Sequence, residues 1–250
     1  MDPRIAIPVP HSSKDQYNRH TLPLYKIAIE RCGGEAVEVP LSASPEEIAK
    51  IVTSCQGVLL PGSPADVDPQ KFGEPRGPNT NDADPARDNA DELLLQDAYN
   101  MRKPVFGICY GLQSINVWRS GKLLQHIAPG DIDHEAGAKV PVAHTVKVRP
   151  ESRLAKIVAG QDDLNFLPVN SSHHQSASLV GDGLRSVAES EDHVIEAIEG
   201  TDPEHFVLAV QWHPERTIES EPASKAMFEA FVEAAKNYQP KPLASEQSAK

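Results

Sequence analysis

Four short apolar runs, Ile5 to Val9, Ala36 to Val39, Gly57 to Leu60 and Pro104 to Ile108, alternate with segments of helical spacing, and this alternation leaves few folds open. Runs of four or five residues rich in β-branched side chains suit buried strands, and strands separated by helices build βαβ units around a parallel sheet. In the first crossover, Leu22, Leu24, Ile27, Ala28 and Cys32 are expected to share a helix face that Gly33 and Gly34 stop. The next helix opens at Ser44-Pro45-Glu46-Glu47, where Ser44 caps, Pro45 takes the first helical position and Glu47 reaches back. Asp88 to Met101 reads as a third helix with Leu94, Leu95 and Ala98 inward. The polar, proline-rich stretch between Leu60 and that helix is too long for filler and is expected to form a lid or rim.

The later third of the chain changes character. Thr145 to Val148, Leu184 to Ala188, Val194 to Ile198 and Val207 to Gln211 are strand-like with few helices between them, which suggests an antiparallel annex. Ala223 to Lys236 closes the fold as an amphipathic helix, and Gln239 to Lys250, polar and without apolar periodicity, reads as a disordered tail. The expected architecture is α/β: a mostly parallel sheet flanked by helices, with a small antiparallel annex, in one domain over residues 1–238.

Composition narrows the partners. With 24 basic against 36 acidic residues the formal charge is −12, which argues against a nucleic-acid partner. No apolar run is long enough to span a membrane, and no basic-then-apolar leader precedes the first strand, so a cytoplasmic chain is expected. Cys32, Cys55 and Cys109 are odd in number and lack ligand spacing, which excludes a disulfide framework and a zinc knuckle. Any special cysteine must be special chemically.

Cys109 is placed to be that cysteine. In Val105-Phe106-Gly107-Ile108-Cys109-Tyr110-Gly111 an apolar strand runs into a Gly-x-Cys-x-Gly turn and then a helical pattern, the cysteine form of a nucleophile elbow. Glycines on both sides allow a tight reversal, and a helix amino terminus favours thiolate over thiol. A nucleophile needs a base. Val207 to Gln211 ends in Trp212-His213-Pro214-Glu215, so His213 can take the cysteine proton while Glu215 fixes the ring tautomer. Leu60-Pro61-Gly62-Ser63 ends another strand, and Gly62 or Ser63 with the Tyr110 amide could form an oxyanion hole. Asn170-Ser171-Ser172-His173-His174-Gln175 contains adjacent histidines, which point apart in an extended segment, and His134 and His144 lack ligand spacing. A polar, substrate-lining loop is therefore expected there, without a metal.

Taken in this order, Leu60-Pro61-Gly62-Ser63-Pro64 with Gly73-Glu74, Asp84-Pro85-Ala86-Arg87-Asp88, the Cys109 elbow, Val169 to His173 and Gln211 to Glu215 resemble the class I glutamine amidotransferase-like superfamily, in particular its γ-glutamyl-γ-aminobutyrate hydrolase-like branch. The resemblance covers roughly residues 4 to 236. It implies a flavodoxin-like sheet, Cys109 as acylated nucleophile, and His213 with Glu215 as the rest of a triad. It also implies an oxyanion hole at Gly62 or Ser63 with Tyr110. Gln113 with Ser172 and His173 would hold the α-amino and α-carboxylate ends of a γ-glutamyl group. No metal or organic cofactor is implied.

The chain departs from relatives of this branch at several positions. Tyr110 stands where they often carry Arg, replacing a fixed cation by an aromatic hydroxyl, and Trp118-Arg119 stands where small residues are common. His174 replaces a small residue and is expected to narrow the pocket or touch the leaving group. The resulting expectation is hydrolysis of a small γ-glutamyl amide to glutamate and a free amine such as γ-aminobutyrate, a polyamine or an aromatic amine. A glutaminase subunit serving a separate synthetase and a non-catalytic γ-glutamyl-ligand binding protein are the alternatives. Oligomeric state, a homodimer included, is open from sequence.

Overall fold

The computed structural model describes residues 2–160 and 163–240. In chain order its strands are β1 (Arg4–Pro8), β2 (Glu35–Val39), β3 (Gly57–Leu60), β4 (Val105–Ile108), β5 (Lys122–Leu124), β6 (His144–Val148), β7 (Leu167–Val169), β8 (Ser176–Leu179), β9 (Leu184–Ser190), β10 (Ile195–Gly200) and β11 (Val207–Val210). The α-helices are α1 (Asp15–Arg31), α2 (Pro45–Thr53), α3 (Pro85–Met101), α4 (Tyr110–Trp118), α5 (Arg153–Val158) and α6 (Pro222–Lys236).

The strands form one sheet in the order β2-β1-β3-β4-β11-β10-β9-β6-β7, with β8 and β5 branching from β10. From β2 to β11 every pairing is parallel, and from β11 outward every pairing is antiparallel. The helix-flanked α/β sheet with an antiparallel annex is thus the architecture expected from the sequence. The run Val207 to Gln211, assigned above to the annex, is instead the last parallel strand, paired Val207↔Val105 to Val210↔Ile108 with β4 and antiparallel with β10. Because it joins the two halves, its carboxyl end lies beside that of β4.

Side chains alternate across the parallel strands and divide the core in two. Ile5, Ile7, Leu59, Phe106, Ile108, Leu208 and Val210 face one side, where they pack with Tyr25 and Ile29 of α1 and Phe228 and Phe231 of α6. Ala6, Val58, Leu60, Val105, Val207 and Ala209 face the other, against Ile48 of α2, Leu94 and Leu95 of α3 and Leu112 of α4. Burial on both faces explains why these strands read as uninterrupted apolar runs.

Local signals set most helix boundaries. The Ser44–Glu47 capping box is formed in both directions. Asp84 caps α3 through the amides of Ala86 and Arg87, and the same carboxylate accepts from the Ser12 amide and hydroxyl. This ties the loop after β1 to the start of α3. The α1 face is shifted from expectation: Leu22, Tyr25, Ala28 and Ile29 are buried, whereas Leu24 and Ile27 are exposed at 36% and 42%. β5, β7, β8 and α5 go beyond the elements expected from the sequence. Each is short, β7 contains Pro168, and β8 reads Ser-Ala-Ser-Leu, so local periodicity is absent. The tail expectation for 241–250 lies outside the described residues.

Candidate active site

Three adjacent parallel strands, β3, β4 and β11, end at the same edge of the sheet, and their next residues bring Gly62, Cys109 and His213 together. A Cβ placed on Gly62 would lie 3.1 Å from His213 Cε1 and 3.7 Å from Cys109 Cβ, so the thiol and the imidazole flank one point above this glycine. Loops at the carboxyl ends of such sheets are the usual place for ligands.

The elbow has the strained geometry its sequence suggests. Cys109 has φ 54° and ψ −105°, a conformation that costs a Cβ-bearing residue roughly 1–3 kcal/mol. Its amide donates to Val210 O at 2.8 Å, and its carbonyl accepts from Leu112 and Gln113 at 3.0 and 3.3 Å, so strand β11 and the first turn of α4 hold it from both sides. Gly111 is required by close approach: any Cβ there would collide with the Leu60 carbonyl.

His213 is 2% exposed, and its Nδ1 donates to Glu215 Oε1 at 2.7 Å, which leaves Nε2 with its lone pair free. The His213 amide donates to Asn170 O at 2.8 Å, so the loop after β7 positions the ring. Burial lowers the His213 pKa, an effect that Glu215 offsets only in part. Burial also works against the Glu215 charge, but His213 and Arg216 outweigh it and hold the carboxyl below its usual range. Cys109 departs from expectation. Burial pushes its thiol up to about 12, with Arg216 and the Tyr110 amide pulling the other way. The amide at the helix amino terminus therefore does act on the sulfur, but desolvation is the larger effect.

Of the oxyanion candidates, Gly62 has its amide engaged, donating to the Tyr25 hydroxyl at 3.1 Å. The Tyr110 amide lies against the Cys109 sulfur, and Ser63 lines the same cavity as Cys109. Tyr110 itself is buried, its hydroxyl donating to Asp88 and its ring lying under the Arg87 guanidinium, 4.8 Å from the ring centroid. Arg87 is thus the cation nearest the Tyr110 ring, but it lies behind that ring and outside the cavity lining. This side chain, 0% exposed, pairs with Asp91 at 2.7 Å and donates to Pro61 O at 2.6 Å and Pro10 O at 3.0 Å. It anchors the residue that precedes Gly62.

A small cavity of about 130 Å³ opens beside Cys109, lined by Ser63, Asp66, Gln113, Glu135, Ser172 and His174, among others. Gln113 Nε2 donates to Gln175 O at 3.2 Å and Gln211 Oε1 at 3.3 Å. His174 Nε2 meets Asp66 Oδ1 at 3.0 Å, and the Asp66 hydrogen bond raises its pKa. Ser172 lines the cavity, as expected. His173 also borders it, with its ring turned toward Glu196: Nδ1 donates to Gln175 O at 2.9 Å, and Nε2 faces Glu196 Oε1 at 3.4 Å without a hydrogen-bond partner among the described residues. Trp118 and Arg119 stack with Tyr99, outside the lining of this cavity.

Asp66, Arg87 and Tyr25 join the site without having been marked by the sequence as site residues. Arg87 lies inside the Asp84 to Asp88 motif, but nothing in its spacing tells that its side chain reaches back to Pro61 across 26 residues. Among the described residues, no helix is long and apolar enough to cross a membrane.

Comparisons with known proteins place the chain in a family and agree with its fold. The family model for peptidase C26 matches residues 6–215. The γ-glutamyl-γ-aminobutyrate hydrolase PuuD of Escherichia coli K12 is 33% identical over 223 residues, covering 86% of this chain and 85% of its own. Protein NtpR of Enterococcus hirae is 29% identical over 211 residues, covering 82% and 85%. A solved structure from Thermoplasma acidophilum, provisionally named as one of the subunits of GMP synthase, superposes with a TM-score of 0.65 at 15% identity over 95% of this chain and 96% of that one, a likeness of fold.

Proposed function

This chain belongs to the peptidase C26 family, and from that premise we propose that it is a cysteine-dependent hydrolase of γ-glutamyl amides. The observation that carries the reading is the convergence of the β3, β4 and β11 ends. It brings Gly62, Cys109 and the carboxylate-backed His213 together, and Cys109 opens onto a cavity small enough for one amino-acid moiety. The relative named as a γ-glutamyl-γ-aminobutyrate hydrolase supports the choice of substrate class.

The chemistry uses these groups in sequence. As Cys109 Sγ attacks the γ-carbonyl carbon, His213 Nε2 takes the thiol proton, and Glu215 steadies the imidazolium so formed. The amides of Ser63 and Tyr110 donate to the oxyanion. Imidazolium then gives its proton to the leaving nitrogen, the C–N bond breaks, and the amine departs from a γ-glutamyl thioester. Water, deprotonated by His213, attacks the thioester carbon, releasing glutamate and restoring the thiol. In the cavity, carboxylates at Asp66 and Glu135 and the free Gln113 Oε1 suit the α-ammonium of the glutamyl group, and Ser172 and His174 suit its α-carboxylate.

The test is glutamate release from glutamine, γ-glutamyl-γ-aminobutyrate, γ-glutamyl-polyamines and γ-glutamyl-anilide. Release from one amide well above glutamine supports a stand-alone hydrolase and names the amine. No release from any of them, with folded protein, overturns the reading.

A pH dependence follows as well. The active form has neutral His213, so kcat/KM rises with pH through a single ionisation below 6.5, because burial lowers that pKa, and then stays level through pH 9. A profile that climbs through about 8.5, the ordinary thiol value, would mean that activity follows thiolate formation instead.

A further inference from the structure

His134, His144, His173 and Glu196 come from four separate segments, yet one ligand-capable atom from each lies within 4.8 Å of every other. Glu196 Oε1 is 3.0 Å from His134 Nδ1, 3.4 Å from His144 Nε2 and 3.4 Å from His173 Nε2. We propose that these four side chains form a structural site for a zinc-class divalent cation, placed behind the wall of the active-site cavity.

The outer ring nitrogens carry the argument. His134 Nε2 meets Asp192 Oδ2 at 3.0 Å, His144 Nδ1 meets Thr145 O at 3.2 Å, and His173 Nδ1 meets Gln175 O at 2.9 Å. Carboxylate and carbonyl oxygens only accept, so each outer nitrogen carries the proton and each inner nitrogen presents a lone pair to the centre. The three inner nitrogens and both oxygens of Glu196 are buried without a hydrogen-bond partner among the described residues. One proton shared with Glu196 could satisfy one histidine, but it would leave the other two lone pairs facing a carboxylate oxygen. A central cation satisfies all of them. Acceptors behind the ring that fix its tautomer are the usual accompaniment of metal-bound histidine.

Dimensions and chemistry agree. Metal–ligand bonds of about 2.0–2.2 Å in a tetrahedron put ligand atoms about 3.3–3.5 Å apart, close to the three Glu196 separations, and the remaining pairs, all within 4.8 Å, would draw inward on binding. Imidazoles with one carboxylate and no thiolate suit Zn²⁺ and its first-row neighbours. Four protein donors make a closed site, suited to holding structure rather than to activating water. What it holds is the wall of the cavity. His173 adjoins Ser172 and His174, His134 adjoins Glu135, and the His173 amide donates to His134 O at 3.0 Å.

The experiment uses the full chain and its Cys109→Ala variant, each treated with chelator, incubated with Zn²⁺, freed of excess metal and analysed for bound zinc and melting temperature. One equivalent of zinc in both proteins, with a higher melting temperature, is expected. Replacing Zn²⁺ with Co²⁺ should give the intense visible absorption of a tetrahedral ion. His144→Ala should release the metal, and Asp192→Asn, which changes only the outer partner of His134, should weaken binding roughly 10–100-fold. Zinc absent from the full chain overturns the proposal. So does zinc that is lost in Cys109→Ala, which would place it on the nucleophile, or zinc held with unchanged affinity by His144→Ala and Asp192→Asn. Because binding is read in the Cys109→Ala protein, the result does not depend on the hydrolase reading.

Discussion

Replacing Cys109 with alanine is expected to lower glutamate release by at least about 10⁴-fold, the scale seen when a covalent nucleophile is removed from a site whose members act as a unit. The fold should survive. Cys109 is 7% exposed, and the change removes one sulfur atom without leaving a polar group stranded. Glycine at the same position separates two effects that alanine leaves mixed. With φ 54° and ψ −105°, every Cβ-bearing residue at 109 is strained, so Cys109→Gly should be about 1 kcal/mol more stable than Cys109→Ala while equally inactive. Urea unfolding of the two variants measures the strain held at the elbow. Activity retained by pure Cys109→Ala protein would sink the nucleophile assignment, and a glycine variant less stable than the alanine one would sink the strain argument.

Replacing Arg87 with leucine should cost roughly 3–5 kcal/mol, because it leaves the carboxylate of Asp91 buried without its ion pair. Both side chains are 0% exposed, so solvent cannot take the place of the partner. Changing both residues, as in Arg87→Leu with Asp91→Leu, should recover most of the loss, since the stranded charge is then gone. The pH dependence has a definite sign. Burial already raises the Asp91 pKa in the intact pair, against the pull of Arg87, and removing Arg87 raises it further. The folded variant therefore binds a proton that the unfolded chain gives up, and its deficit should be smallest in acid and grow as pH rises through the folded pKa. The double variant should nonetheless stay slow in catalysis, because the hydrogen bonds from Arg87 to Pro61 O and Pro10 O, which hold the loop before Gly62, are still absent. Full activity in the double variant would show that Arg87 stabilises the chain without positioning the site.

The parts of the fold that are legible in the sequence are those set by near neighbours. Gly57–Leu60 and Val105–Ile108 are strands because short, wholly buried apolar runs fill four positions, and α2 starts at Pro45 because Ser44 and Glu47 satisfy its end within three residues. The α1 face differs from expectation because Leu24 and Ile27 follow the helical period only loosely, while Tyr25 turns inward. Tyr25 is drawn there by a partner 37 residues away, the Gly62 amide. β5 and β8 are illegible because three or four residues of mixed character carry no period. They exist through pairing with each other and, for β8, with β10.

The candidate site divides in the same way. By itself, the sequence determined the elbow at Cys109 and the His213–Glu215 pair, because glycine spacing and a Pro-fixed turn are local steric facts. Only the tertiary structure decided that β11 lies beside β4, that the Cys109 thiol is buried, and that Arg87 reaches back to hold Pro61. It also decided that His134, His144, His173 and Glu196 share one centre. Ligand spacing rules read neighbours along the chain, whereas these four meet through strand order in the antiparallel annex. The physical reason is range. Turns, caps and strand periods are settled by sterics and hydrogen bonds over a few residues, while burial and charge pairing are sums over everything the fold brings near.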